Sequence, residues 1–470
     1  MPHYELIVIG SGPAGEKAAA KAAYFQHKVA LIEKTPLYGG AVVHTGTLPS
    51  KTLKETALYL SGKQEHPLHS ITRSLDRKAS LTDFMHLKNQ IVHTENQAVI
   101  DNLELHNVDV YIGSASFIDP HTISINNQGK KTTLSADFIL IATGSYPHHP
   151  NNIPFEHPHV HDSDSILTIQ EIPSSLTIIG AGVIGCEYAT IFGTLGCRVS
   201  LINHSKEILS FIDGKVRDHL VRLMKKNNIN TLFGCSPDSV EANDQGIKIT
   251  LDKGEVIQCD SLLYAAGRSG STKELGLENI GINTDKREAI SVDDAFRTNH
   301  SHIYAVGDVI GFPALASTSS DQGRKAVSHM FKIHDLEKLP TILPFGIYTI
   351  PEVSAVGITE EKAKEDNIPY NVGYCRYDAI PRGKILGENE GFLKLIFRSD
   401  NQQILGVHII GTIATELIHY GMLLTHNKST LNNIISEVFN FPTLHELYKY
   451  AAYDGLGAIA GRKVRKISPE

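Results

Sequence analysis

Tyr4-Glu5-Leu6-Ile7-Val8-Ile9-Gly10-Ser11-Gly12-Pro13-Ala14-Gly15 is the stretch on which the fold turns. Its first half is apolar and β-branched, which predicts a strand buried on both faces. The strand runs directly into Gly-x-Gly-x-x-Gly, and an Ala-rich helix follows from Glu16 to about Phe25. A second strand, Lys28 to Ile32, ends at Glu33, 23 residues after Gly10. Glycine spacing alone is a weak signal, but strand, turn, helix and a terminal acid together carry a mechanism. Gly10 permits the tight turn, Gly12 lets a pyrophosphate approach the backbone, and Gly15 lets the helix pack on the strand. The helix N-terminus, with Pro13 and Ala14 in its turn, offers N–H groups to phosphate, and Glu33 is placed to accept from a ribose. The first unit is therefore expected to bind a dinucleotide, with Lys34, Gly39, Gly40 and Ala115 counted at the same site.

The same unit recurs about 170 residues later. Leu176 to Ile179 reads as a strand, Gly180-Ala181-Gly182-Val183-Ile184-Gly185 repeats the fingerprint, and a helix runs to about Leu195. The partner strand, Arg198 to Ile202, ends at Asn203, again 23 residues after the first glycine. Two fingerprints imply two dinucleotides. The acid of the first copy is an amide in the second. A carboxylate there repels the 2′-phosphate of NADP, whereas Asn203 accepts NAD or NADP. His204 and Lys206 follow and are candidates to neutralise a phosphate.

Further strands close each unit. Asp137 to Ala142 leads into Thr143-Gly144, and Ser261 to Ala266 leads into Gly267-Arg268. Ile303 to Gly307 ends in Asp308, a carboxylate at the C-terminal end of a strand, where doubly wound sheets bind ligands. Leu315-Ala316-Ser317-Thr318 then opens a helix whose N-terminus favours negative charge.

Composition is that of a globular chain, neither disordered, collagenous nor membrane-embedded. At 470 residues the chain exceeds the roughly 250–300 at which one core stops growing, so about three or four domains are expected. A net charge of −7 argues against nucleic acid or an anionic membrane as partner. No apolar run approaches the ~18 residues of a transmembrane helix, and the first strand starts too early for a signal peptide, so a cytoplasmic location is expected. The five cysteines, Cys186, Cys197, Cys235, Cys259 and Cys375, stand far apart and form no disulfide or zinc pattern. The histidines between His148 and His161 sit in a Pro/Asn-rich connector without ligand spacing, so no metal is expected. Residues 60–80 and the basic tail from Arg462 to Lys466 read as solvated, without function.

These motifs, with Gly39-Gly40, Gly46 and Pro49-Ser50-Lys51, resemble the flavin-dependent disulfide reductase family, which includes lipoamide dehydrogenase, glutathione reductase and mercuric reductase. The resemblance spans essentially the whole chain. It implies an α/β fold with two Rossmann-like dinucleotide-binding domains, for FAD and NAD(P), and a C-terminal α+β dimerisation domain. The implied division is 1–150 and 271–340 for FAD, 151–270 for NAD(P), and 341–470 for dimerisation. It also implies one FAD per subunit, a homodimer or higher homo-oligomer, and a flavin tuned by Lys51 paired with Glu187.

One segment departs from the disulfide reductases. Where they carry two cysteines, this chain has Val42 and Thr47, so no thiolate is present to attack a disulfide. Where they carry a histidine before Pro442, it has Phe441, which cannot move protons. Disulfide reduction is thereby excluded. The remaining profile resembles the soluble pyridine nucleotide transhydrogenases at His44 to Thr47, Gly185 to Ala189 and Gly346 to Glu352. That branch implies FAD-dependent, ping-pong hydride transfer with NAD(H) and NADP(H) as substrates: NADPH + NAD⁺ = NADP⁺ + NADH. The alternative is an NAD(P)H-dependent flavin reductase or oxidase acting on quinone, oxygen or dye-like acceptors.

Overall fold

In a computed structural model, residues 1–61, 80–334 and 341–462 are described. Most of the 60–80 connector and of the basic tail lies outside them.

The N-terminal run forms β1 (His3–Ile9), α1 (Pro13–Tyr24) and β2 (Val29–Glu33). Next come α2 (Gly40–His44), α3 (Thr47–Ser61), α4 (Leu81–Leu105), β3 (Asp109–Ile112), β4 (Ser114–Asp119), β5 (Thr122–Asn127) and β6 (Lys130–Ile141). The helix after the first fingerprint begins at Pro13, three residues before the expected Glu16. Proline suits the first helical position, where its missing N–H has no partner to lose. In the sheet, β3, β2, β1 and the second half of β6 lie parallel, while the first half of β6 pairs antiparallel with β5, and β5 in turn with β4.

After β7 (Ser145–Pro147) the chain builds the second unit from β8 (Val160–His161), β9 (Ser175–Ile179), α5 (Val183–Thr194), β10 (Arg198–Asn203), α6 (Gly214–Lys226) and β11 (Ile229–Phe233). The antiparallel β12 (Pro237–Asn243), β13 (Gly246–Leu251) and β14 (Val256–Cys259) precede β15 (Ser261–Tyr264). Strands β11, β10, β9, β15 and β8 form one parallel sheet in that order. Its core order repeats that of the first sheet: the fingerprint strand sits between the acid- or amide-bearing strand and the one that closes the unit. Strand β16 (Arg268–Gly270) pairs antiparallel with β7, so the way in and the way out of this unit are joined. The chain then returns to the first sheet as β17 (Ile303–Ala305), parallel to β6, followed by α7 (Ala316–Met330). Leu315 caps α7, so this helix starts where the sequence pattern puts it.

The C-terminal part carries β18 (Phe345–Ile347), β19 (Glu352–Gly357), α8 (Glu360–Glu365), β20 (Tyr370–Arg376), α9 (Pro381–Leu386), β21 (Phe392–Arg398) and β22 (Ile404–Gly411). Three helices complete it, α10 (Ala414–His426), α11 (Leu431–Ser436) and α12 (Glu446–Ile459). Its antiparallel sheet, ordered β18-β19-β22-β21-β20, packs Phe397, Val407 and Ile409 against Leu417, Tyr448 and Ala451 of the helices. The second unit is fastened to it by a charge cluster around the fully buried pair Lys394–Asp213. Lys394 Nζ lies 2.7 Å from both oxygens of Asp213 and also contacts Glu360. Burial alone raises the Asp213 carboxyl, but His408 and Lys394 outweigh it and hold the group below the ordinary carboxylate range. Among the described residues no helix is long and apolar enough to cross a membrane.

Candidate functional site

The two fingerprints adopt the same geometry. Gly10 and Gly180 have φ of 103° and 104°, the left-handed region that favours glycine. A Cβ at Gly15 would stand 1.9 Å from the Gly10 carbonyl oxygen, and one at Gly185 1.8 Å from that of Gly180. The third glycine is therefore required by contact between helix and turn. Gly12, in contrast, faces open space, with nothing within 4 Å of an added Cβ.

The acid and amide positions are also equivalent. Glu33 Oε2 accepts from Ser11 N at 2.9 Å and Ser11 Oγ at 2.6 Å. Asn203 Oδ1 accepts from Ala181 N at 3.1 Å. Its amide nitrogen donates to the carbonyls of Ser205 and Glu207, which folds the following loop around it. Ser11 is a residue that sequence reasoning passed over, although it lies inside the fingerprint. It also accepts from Gly39 N at 3.2 Å and so joins the phosphate turn to the Gly39-Gly40 segment.

A cavity of about 1280 Å³ opens along the C-terminal edge of the first sheet. That exceeds the roughly 300–1,000 Å³ of ordinary small-molecule pockets, leaving room for a dinucleotide and part of a second ligand. Gly10, Gly12, Pro13, Ala14, Glu33, Lys34, Gly40, Val42, Thr47, Lys51, Ala115, Thr143, Gly144, Asp308 and Ala316 all line it. Gly15 and Gly39 stand behind this wall. Val183, Ile184 and Glu187 of α5 line the same cavity, so the second unit reaches into the first unit's site. Gly180, Gly182, Gly185, Asn203, His204, Lys206 and Gly267 do not line it. His204 Nδ1 pairs with Ser236 Oγ at 2.9 Å, and Lys206 borders a separate cleft with Arg217, Arg222 and Lys225. Lys34 pairs with Glu274 at 2.7 Å on the surface.

Lys51 and Glu187 meet inside the cavity. Lys51 Nζ lies 2.9 and 2.8 Å from the two Glu187 oxygens, although the residues belong to different units. Tyr348, from the turn between β18 and β19, donates its backbone N–H to Glu187 Oε1 at 2.9 Å. Its ring lies 4.9 Å from Lys51 Nζ and 5.9 Å from Lys54 Nζ. Lys54 in turn pairs with buried Glu352 at 2.5 Å. Tyr348 lies in the Gly346–Glu352 motif that carries the family resemblance, but that motif gives no sign of which residue it meets. Arg268 was likewise unassigned. It donates to Ser145 Oγ, Ser145 O and Ser163 Oγ at 2.9, 2.8 and 3.1 Å. Ser145 Oγ donates onward to Asp308 at 3.1 Å.

The cavity fits a flavin dinucleotide by its own unfinished bonding. Thr143 Oγ1 is buried there with no partner, an arrangement that native interiors rarely tolerate without a ligand or water. Gly12 and Gly144 both face open space beside the α1 N-terminus. No thiol lies in this wall. All five cysteines are buried and free, and burial beside Glu187 pushes the Cys186 thiol well up, leaving it inert. Phe441, before a cis Pro442, is 68% exposed and away from this cavity. No three His, Cys, Asp or Glu side chains converge as metal ligands among the described residues.

Comparison with known proteins agrees with this architecture. Residues 4–323 match the model for pyridine nucleotide-disulphide oxidoreductases, and residues 343–452 match that family's dimerisation domain. The chain is 41% identical over 456 residues to a protein of Mycobacterium bovis named soluble pyridine nucleotide transhydrogenase, covering 97% of each chain. Proteins of the same name from Pectobacterium atrosepticum and Azotobacter vinelandii are 40% identical, covering 97% of this chain and 98% and 99% of theirs. Among solved structures, the HOCl-induced flavoprotein disulfide reductase RclA of Escherichia coli superposes with a TM-score of 0.88 at 25% identity, covering 96% of this chain and 99% of that one. The paired fingerprints, the shared cavity and full-length identity of this order lead to one placement: the chain belongs to the pyridine nucleotide-disulphide oxidoreductase family.

Proposed function

We propose that the chain is an FAD-dependent oxidoreductase that exchanges hydride between NADPH and NAD⁺, without a redox disulfide. The observation that carries this reading is the single cavity in which both fingerprint units meet, with Val42 and Thr47 where a dithiol would stand and Lys51 paired to Glu187. When bound, FAD supplies the chemistry, taking hydride from one nicotinamide nucleotide and giving it to another.

The chain's own residues bind and orient. The α1 N-terminus and Gly12 receive the pyrophosphate, Glu33 a ribose, Asp308 a hydroxyl and Thr143 Oγ1 a polar atom of the cofactor. Lys51 holds a positive charge against the cavity, Glu187 keeps it in place, and the N-terminus of α7 adds a partial positive charge at Ala316. Val183 and Ile184 bring the second nucleotide to the same cavity. Asn203, with His204 and Lys206 beside it, admits either nucleotide at the 2′ position. No side chain here is asked to move a proton, and Phe441 has none to offer.

The same reading divides the chain at residues 1–150 and 271–340 for FAD, 151–270 for NAD(P) and 341–470 for dimerisation. It describes a cytoplasmic homodimer or higher homo-oligomer. The test is anaerobic stopped-flow on the yellow holoprotein, reduced with NADPH and then mixed with NAD⁺. Rapid return of flavin absorbance with NADH formed supports the proposal. Reduced flavin that ignores NAD⁺ but discharges to oxygen or quinone would overturn it in favour of a reductase.

A further inference from the structure

Three phenylalanines at the mouth of the cavity have no part in the site as described above. Phe211 lies in the loop between β10 and α6, Phe312 in the loop between β17 and α7, and Phe345 opens β18. The Phe345 ring centroid is 5.3 Å from that of Phe211, tilted by 49°, and 6.3 Å from that of Phe312, stacked at 23°. The three form one row with Phe345 at its centre, and all three line the cavity. Phe312 is 80% exposed and Phe211 40%. An aromatic ring left so far in water contributes little to folding, and apolar surface gathered at a cavity mouth marks a binding face.

We propose that this row is the stacking platform for the nicotinamide half of the nucleotide. The inference rests on the nicotinamide-nucleotide reading above. Two observations favour the nicotinamide half over the adenine half. The row shares its cavity with Lys51, Glu187, Val183 and Ile184, where hydride must be exchanged. The adenosine end belongs beside Asn203, which does not line that cavity. Aromatic faces stack offset with planar rings at the separations seen within this row. A nicotinamide ring extending the row completes it and excludes water from the reacting edge.

The test uses the holoenzyme and two variants, Phe312→Ala and Phe345→Leu, with Phe312→Tyr as the conservative control. Flavin reduction is followed anaerobically against NADPH concentration and against reduced nicotinamide mononucleotide, which lacks adenosine. The expected result is a fall in affinity of about tenfold for both donors, equal to about 1.4 kcal/mol. Phe312→Tyr restores it, and thermal stability and oligomer mass stay unchanged in Phe312→Ala. Unchanged affinity overturns the proposal. So does a loss confined to NADPH, which assigns the row to adenine, or a loss that tracks a change in oligomer mass, which assigns it to a second copy. Failure of NAD⁺ to reoxidise the flavin counts against the transhydrogenase reading alone, because the NADPH arm still reports on the platform.

Discussion

Replacing Glu187 with Gln isolates one charge at the centre of the site. The substitution preserves shape and leaves an oxygen for the Tyr348 N–H, so the change is the loss of the negative partner of Lys51. The Glu187 side chain is 4% exposed and that of Lys51 is 23% exposed. Stranding one member of a buried pair costs about 3–5 kcal/mol. Lys51 retains an opening to the cavity and the face of the Tyr348 ring at 4.9 Å, a contact worth about 0.5–1 kcal/mol. The expected loss for Glu187→Gln is therefore about 2–4.5 kcal/mol. Lys51→Met costs more, because it leaves the more deeply buried carboxylate with one backbone N–H. The double variant strands no charge and falls below the sum of the two. Thermal and denaturant unfolding of the three holoproteins, with the flavin midpoint potential, reads the cycle. Lys51→Met also lowers the potential, since about 30 mV accompanies each 1.4 kcal/mol of lost stabilisation of the reduced form. Single-variant losses that add to within about 0.5 kcal/mol, with the potential unmoved, would refute the coupling and with it the assigned role of the pair.

Three further outcomes follow from other parts of the molecule. Asn203→Glu places a carboxylate where Glu33 stands in the first unit, and the matching Ala181 N–H shows that it fits. Steady-state kinetics should show the NADPH KM raised about 10- to 100-fold, or about 1.4–2.7 kcal/mol, with that for NADH little changed. His161 on β8 is held neutral: burial first, then the neighbouring charge of His159, lowers its pKa from 6.5 to about 4, against a smaller opposing pull from Asp162. The unfolded chain then binds the extra proton between these values, so stability is complete above about pH 6.5 and declines as pH falls toward 4, by about 3 kcal/mol at most. Melting curves from pH 7 to 4 should show a shallower decline for His161→Leu than for the parent protein. Lys394→Met removes the cation that holds Asp213 and Glu360 together and should cost about 3–5 kcal/mol. Unfolding that is unchanged in midpoint would show that the buried cluster does not fasten the second unit to the C-terminal sheet.

What the sequence discloses of this site depends on how far apart the interacting residues stand along the chain. Each fingerprint is local: turn, helix and terminal acid or amide lie within 24 residues, and the expected turn geometry is found at Gly10 and Gly15, with Glu33 and Asn203 bonded to the turn backbone. The cavity wall is not local. Lys51 and Glu187 are separated by 136 positions, and Glu187 and Tyr348 by 161. The first pair is implied by family resemblance; Tyr348 belongs to a motif of the same resemblance, Gly346 to Glu352, but its contact with Glu187 is not implied by it. Arg268 follows a legible glycine turn, yet its partners Ser145 and Ser163 lie more than a hundred residues earlier, where the chain enters the second unit. The phenylalanine row draws on three parts of the chain and obeys no periodicity, because it faces the cavity mouth instead of a core. Local geometry therefore carries the turns proposed to receive phosphates and riboses. The residues proposed to tune the flavin sit where units meet, and there the contacts are set by packing between sheets rather than by any spacing within one segment. The replacement of both cysteines by Val42 and Thr47 is the exception that lets function be read early: it alters the chemistry within a local motif while leaving the surrounding frame, down to the Lys51–Glu187 pair, intact.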